Sequence, residues 1–233
     1  MIEKRPFAGL GGADHGWLKT RHHFSFADYY DPARVRWGRL RVWNDDEIAA
    51  GSGFPPHPHA DMEIITYVRN GAITHQDSLG NKGRTAAGDV QVMSAGSGIR
   101  HAEYNLEDQE TRLFQIWIEP TASGGAPAWG TKPFPKADRS GRLVTLASGF
   151  ADDGDALPIR TDARVIGATL RRGERIVVPL DPVRHAYVVA ATGRLELDGG
   201  VVLAARDGAA VTGESRLGVV ALDEAEVVLV DAA

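Results

Sequence analysis

The 233-residue chain contains no cysteine. That removes a disulfide framework, a thiolate zinc site and a thiol nucleophile from consideration. Long apolar runs are missing too. No segment approaches the roughly 18–20 residues needed to cross a bilayer, and residues 1–12 hold charges and glycines but no apolar core of signal-peptide length. The expectation is a soluble, cytoplasmic protein without membrane contact. There is no excess of positive charge: a net charge of −5 and a pI near 5.9 argue against a nucleic-acid surface built on phosphate contacts. The local exception, Arg34, Arg36, Arg39 and Arg41, reads as solvent-facing residues alternating along a strand. Gly51-Ser52-Gly53 lacks the third glycine and helix of a dinucleotide fingerprint. Asp152-Asp153-Gly154-Asp155 lacks the spacing of a calcium loop, and no serine or threonine stands in a nucleophile elbow.

Long helical periodicity is scarce, whereas short β-branched runs are frequent. Residues 39–43, 62–68, 89–93, 112–118, 142–146, 164–170, 175–178, 186–190, 194–197, 201–204 and 227–230 read as strands, with turns such as Asn70-Gly71, Gly88-Asp89, Thr192-Gly193 and Gly199-Gly200 between them. Such spacing without intervening helices predicts an all-β sandwich or barrel. Residues 119–138, rich in Pro, Gly, Ala and Ser, form the best linker. The expected division is an N-terminal domain over 1–120, a linker over 121–138 and a C-terminal domain over 139–233. A faint repeat crosses the linker: Asn70-Gly71-Ala72-Ile73 resembles Thr192-Gly193-Arg194-Leu195, and Ala86-Ala87-Gly88-Asp89 resembles Ala204-Ala205-Arg206-Asp207. Near-constant offsets of this kind are expected of two copies of one barrel.

Two short pairs carry the chemistry: His57-Pro58-His59 and His101-Ala102-Glu103. On a strand, residues i and i+2 share a face about 7 Å apart. If the two strands are neighbours, three imidazoles and a carboxylate converge on one divalent metal. Nitrogen and oxygen donors suit Fe(II), Mn, Ni, Co, Cu or Zn, and spacing alone does not choose among them. A closed structural zinc site leans on thiolates, which are absent, while three histidines and a carboxylate leave room for substrate or water. Shifted by the repeat offsets, the four positions land on Pro179, Asp181, Val219 and Ala221, so the C-terminal barrel is expected to bind no metal.

The segment from Gly51 to Glu63, with His57-Pro58-His59 inside it, resembles the first cupin motif, and Gly88, Gly96, His101 and Asn105 resemble the second with shifted spacing. His15-Gly16-Trp17, His23-Phe24-Ser25-Phe26, Tyr29-Tyr30-Asp31-Pro32, Asn44-Asp45-Asp46, His75-Gln76-Asp77-Ser78 and the run Gly96 to Asn105 follow in the order seen in pirins, specifically the bacterial pirin-like quercetin 2,3-dioxygenases. The motif-bearing resemblance covers about residues 1–120. It implies a bicupin of two tandem barrels, with one metal, iron by family expectation, on His57, His59, His101 and Glu103, and with Glu63 outside the ligand set. It further implies cleavage of a flavonol-like aromatic substrate with O2, Glu103 serving as catalytic base, and products of a ring-opened ester and carbon monoxide. Two other classes stay open. One is an iron-dependent transcriptional co-regulator that meets a protein partner, for which the arginine cluster is the candidate surface. The other is a cupin isomerase or small-molecule binder.

Lesser expectations attach to single residues. His75 is placed beside the site in a structural or supporting role, His22 and His23 near a barrel mouth, and His185 in a core. Trp43 reads as core rather than pocket, although it and Phe54 lie close in sequence to the ligand strand.

Overall fold

A computed structural model describes residues 1–233 as two β-sandwiches in tandem. In the first, a seven-stranded sheet runs in the order Ala128–Lys132, Val90–Ser94, Glu63–Asn70, Thr111–Ile118, Leu40–Ile48, Leu18–His22, Gly11–Asp14. It faces a four-stranded sheet ordered Gly53–His59, Ile99–Tyr104, Ala72–Asp77, Lys82–Ala86. The second sandwich repeats the plan. Its seven strands are Ile2–Arg5, Gly208–Thr212, His185–Thr192, Ala225–Ala232, Ala163–Leu170, Val144–Ser148 and Leu157–Pro158, opposite Arg175–Pro179, Arg216–Ala221, Leu195–Leu197 and Val201–Leu203. This is the all-β bicupin arrangement that the resemblance implies. No helix is long and apolar enough to cross a membrane.

Alternation decides what each face meets. Along Thr111–Ile118, Phe114, Ile116 and Ile118 point one way, into an apolar cluster of 24 buried residues shared by both sandwiches. Trp43 and Tyr67 join it from neighbouring strands, as do Tyr187, Val189, Val228 and Val230 from the C-terminal half. Burial of such side chains contributes about 1.5–3 kcal/mol each, which ties the two seven-stranded sheets back to back. Leu113, Gln115 and Trp117 point the other way, into the first sandwich. Inside the second sandwich a separate cluster of 18 buried apolar residues fills the interior.

The repeat is structural. Gly88 donates to Val68 O and Asp89 to Ala86 O in the first copy; Arg206 donates to Ala190 O and Asp207 to Ala204 O in the second. Gly88 has φ +91° and Arg206 φ +74°, so an arginine holds the left-handed position that glycine takes in its counterpart.

All eleven expected runs fall on or overlap strands. The division of the chain differs from expectation in two places. Ile2–Arg5 belongs to the C-terminal sheet, paired with Gly208–Thr212, because its one apolar residue and alternating charges suit an edge. Within the expected linker, Ala128–Lys132 pairs with Val90–Ser94, and Trp129 packs where Gly83 leaves room, a Cβ there coming 2.3 Å from the indole. The arginine cluster also differs: Arg36 binds Glu119, Arg39 donates to Pro120 O, Arg41 donates to Ser25 O and Val35 O, and Arg34 pairs with Asp31. These side chains brace loops instead of lining a strand face.

Candidate metal centre

Ile99–Tyr104 lies between Gly53–His59 and Ala72–Asp77. His101 stands opposite His57 on one side and Asp77 on the other; Glu103 stands opposite Phe54 and His75. Three residues of the Gly53–His59 strand span what two residues span on its partner, a bulge between His101 and Glu103 that re-aims the side chains. Gly53 permits this approach, since a Cβ there would meet Glu103 O at 2.2 Å and Tyr104 Cα at 2.5 Å. The prolines of the ligand strand, Pro55, Pro56 and Pro58, are tolerated because it is the sheet edge.

His57, His59 and His101 bring ligand atoms within 4.8 Å of one another, and so do His75, His101 and Glu103. His101 belongs to both groups. His57, His59, His101 and Glu103 line a single cavity of about 710 Å³.

The hydrogen bonds fix which nitrogens are free. His57 Nδ1 lies 2.8 Å from Pro55 O; a carbonyl only accepts, so Nδ1 carries the hydrogen and Nε2 a lone pair. His75 Nε2 lies 3.1 Å from Asp77 Oδ2. Burial pushes the Asp77 carboxyl up, but hydrogen bonds from Asn81, His75 and the Leu79 amide hold it below its ordinary range. Asp77 is therefore an ionised acceptor, and His75 donates through Nε2. Burial lowers the His75 pKa against the pull of Asp77, which keeps the ring neutral with an accepting Nδ1. His101 Nδ1, 3.3 Å away, then donates to it, leaving His101 Nε2 bare. That atom faces His57 Nε2 at 3.0 Å.

Two lone pairs at this separation repel unless a cation lies between or beside them. Nitrogens bound to one ion at about 2.1 Å and at right angles stand about 3 Å apart. Burial and the neighbouring His57, His59 and His75 push His101 down to about 2, so its own ring stays neutral with Nε2 free to bind a cation. Burial, aided by His57, likewise takes His59 to about 4, and its buried Nε2 has no hydrogen-bond partner. The donor set fits a divalent metal ion.

Glu103 is held from the opposite sheet. Its Oε1 accepts from Gln91 Nε2 at 2.5 Å and Thr66 Oγ1 at 3.2 Å, and its Oε2 from Gln115 Nε2 at 2.8 Å. Burial raises its pKa to about 7, opposed by those same three donors. The donors lie on one cross-strand row: Gln91 opposite Thr66, Thr66 opposite Gln115, Gln115 opposite Asn44, and Asn44 opposite His22. Trp17, Phe26, Tyr29, Phe54 and Trp117 form the aromatic walls, with Trp117 edge-on to His59 at 5.0 Å.

The remaining sequence candidates divide. Phe54 and His22 line the cavity, whereas Trp43 and His23 are fully buried outside it, His23 Nδ1 lying 2.8 Å from Tyr187 OH. Glu63 accepts from Ser94 Oγ at 2.6 Å. His185 is not in a core: it is half-buried at the junction of the sandwiches, edge-on to Trp37 at 5.2 Å, because it opens its strand before the apolar run begins. Sequence reasoning missed Trp17, Trp117, Asp46 and the polar row. One signal was available: Gln91, Thr66 and Gln115 are each a lone polar residue between two large apolar ones, which marks a polar group turned inward.

The family described as Pirin matches residues 4–118, and the family described as quercetinase C-terminal cupin domain matches residues 145–232. A pirin-like protein of Caulobacter vibrioides is 70% identical over 233 residues, covering 100% of both chains. The chain belongs to the pirin family. A quercetin 2,3-dioxygenase of Escherichia coli is 41% identical to this pirin over 232 residues, 99% of this chain and 98% of that one. The crystal structure of a bacterial pirin from Escherichia coli in complex with nickel(II) matches with a TM-score of 0.93 at 39% identity, covering 100% of this chain and 99% of that one.

Proposed function

We propose that this pirin is a metal-dependent dioxygenase that cleaves quercetin-like flavonols with O2, its ion held by His57, His59, His101 and Glu103. The observation that carries the reading is that three imidazoles, His57, His59 and His101, cluster together and share a single aromatic-walled cavity of about 710 Å³ with the buried Glu103 carboxylate. The 41% identity to the Escherichia coli quercetin 2,3-dioxygenase supports the substrate class, and the nickel-bound relative supports a divalent ion. We propose Fe(II) as that ion, with Ni, Mn, Co, Cu and Zn compatible with the same donors. A bound divalent metal supplies Lewis acidity that lowers the pKa of a substrate hydroxyl.

The chain's own groups do the rest. Glu103 takes the hydroxyl proton, as a buried carboxylate placed beside the substrate end of the cavity. Gln91, Thr66 and Gln115 fix both of its oxygens during that transfer. Trp17, Phe54 and Trp117 line the cavity where a flat aromatic substrate would lie and present apolar faces that keep water from it. The reaction balances as flavonol plus O2 giving a ring-opened ester plus carbon monoxide, with no external reductant. The arginine cluster is bound within the chain, so no observation favours the partner-protein reading.

The test is oxygen uptake and carbon monoxide release with quercetin, on protein loaded separately with Fe(II), Ni(II) and Mn(II). Turnover with at least one metal is expected, with loss of about 10²-fold or more in Glu103→Ala at equal metal content. No turnover with any metal overturns the substrate assignment; full turnover in Glu103→Ala removes its role as base.

A further inference from the structure

The cavity wall facing the imidazoles is the inner face of the seven-stranded sheet, and most polar groups on it have partners. Gln91, Thr66 and Gln115 hold Glu103, and Asn44 Oδ1 lies 2.8 Å from His22 Nδ1. Three atoms on this wall have no partner within hydrogen-bond geometry: Trp117 Nε1, and, from a facing pair, Asp46 Oδ1 and Thr20 Oγ1. The Thr20 hydroxyl lies close enough to favour the Asp46 carboxylate, but neither Asp46 nor Thr20 is fully satisfied by the other. The residues are 2% and 6% exposed, stand directly opposite each other across the ladder, and both line the cavity. An unpaired buried polar group costs about 1–3 kcal/mol, so the pair is out of place unless something in the cavity completes its bonds.

Its position says what that something is. Leu40–Ile48, which carries Asp46, is the strand next to Thr111–Ile118, whose Gln115 holds Glu103; Leu18–His22, which carries Thr20, is one strand further. At about 4.8 Å per strand and about 3.4 Å per residue, a pair one and two strands over and two residues along from the Gln115 row stands about 8–12 Å along the wall from the carboxylate's support. A ligand with one end at the imidazoles lays its other end there.

We propose that Asp46 and Thr20 form a hydroxyl-binding subsite that selects polyphenols carrying a phenolic hydroxyl on the ring farthest from the metal. The proposal rests on the flavonol reading of the same cavity and deepens it. A phenolic hydroxyl both donates and accepts, and so does the threonine hydroxyl. Burial, against the Thr20 hydroxyl and helped by the charges of Asp45 and Glu103, takes the Asp46 carboxyl to about 7, so near neutrality it serves in either sense. A ligand without the distal hydroxyl leaves both groups unsatisfied, which is the strongest ground for rejection open to a binding site.

The experiment is equilibrium binding of quercetin and of 3-hydroxyflavone, which lacks hydroxyls on its outer rings, to metal-loaded protein without oxygen, read by quenching of tryptophan fluorescence. The wild type is expected to prefer quercetin at least ten-fold. Thr20→Val and Asp46→Asn are each expected to shrink that ratio about three- to ten-fold. A wild type without preference, or variants with the wild-type ratio, overturns the subsite. Should Asp46→Asn fail to fold or to hold metal, near-isosteric Thr20→Val decides. A retained preference without oxygen uptake would sink the dioxygenase reading while leaving the subsite standing; failure of both flavonols to bind overturns both.

Discussion

His101 Nδ1 lies 3.3 Å from His75 Nδ1, on the side of the His101 ring turned away from His57. The chain Asp77–His75–His101 thereby sets the tautomer of an imidazole in the candidate metal centre from two residues that do not themselves face His57.

Partners of this kind typically change metal affinity 10–100-fold. His75→Phe keeps a flat ring to stack on Trp129, now 4.8 Å away and within 7° of parallel, but removes the acceptor for His101. Weakening of divalent-metal binding by about ten-fold or more is expected, measured by competition with a chelator. Wild-type affinity in this variant would show the relay to be idle.

Two glycines of the first motif act for different reasons. Gly51 has φ +67° with nothing within 4 Å of a Cβ, whereas Gly53 meets backbone at 2.2 Å. Gly51→Ala is expected to cost about 1–2 kcal/mol, the penalty of left-handed backbone, and to keep its metal. Gly53→Ala pushes the ligand strands apart, so about 2–3 kcal/mol and metal stoichiometry are lost together. Urea unfolding with metal analysis separates them; equal behaviour in both variants contradicts the close-approach argument.

Burial takes His23 down to about 3, with Arg5, Arg34, Arg206 and Arg69 adding to it, from an ordinary 6.5. The folded protein refuses a proton that the unfolded chain accepts below about 6.5. Stability therefore falls with acid, by up to about 1.4 kcal/mol per pH unit from this one residue. Between pH 6.5 and 5 that amounts to about 1.6 kcal/mol, because the slope reaches its limit only well below 6.5. His23→Gln is expected to flatten the acid limb of a plot of urea midpoint against pH, and an unaltered slope would show that His23 is not the residue responsible.

Arg206 donates to Asp45 Oδ2 at 2.6 Å and Oδ1 at 3.0 Å and pairs with Glu47 at 2.8 Å, while Arg69 also binds Asp45. Removing one partner of a buried ion pair costs about 3–5 kcal/mol. Because Arg206 is left-handed, Arg206→Gly relieves the backbone and Arg206→Ala does not. The glycine variant is expected to be the more stable by about 1 kcal/mol, measured by thermal unfolding. The opposite order would show that the backbone carries no strain there.

The sequence made the strands with apolar alternation legible, along with the two i, i+2 pairs. What escaped it has a common cause. Asp46 and Thr20 are polar residues alternating along strands, a pattern that ordinarily marks a solvent face, and only the closed sandwich turns that face into a cavity wall. His22 and His23 are neighbours in sequence but point to opposite sides of one sheet, so a single expectation could not serve both. Trp129 lies in a stretch whose Pro, Gly and Ala content hides the edge strand that carries it. The sequence neighbours of His75 place it near the site, but its link to His101 depends on which strands pair, which spacing alone does not reveal.

Asp45 and Asp46 are consecutive, so strand alternation aims one at the C-terminal sandwich and the other at the cavity. The arginine gripping Asp45 thus anchors, from behind, the panel on which Asp46 is mounted. Cutting the chain at the junction would leave Trp43, Tyr67, Phe114 and Ile116 facing water and Asp45 with one guanidinium fewer. The half that holds the imidazoles is consequently no self-sufficient unit: its cavity has a load-carrying rear wall only while the other half leans against it.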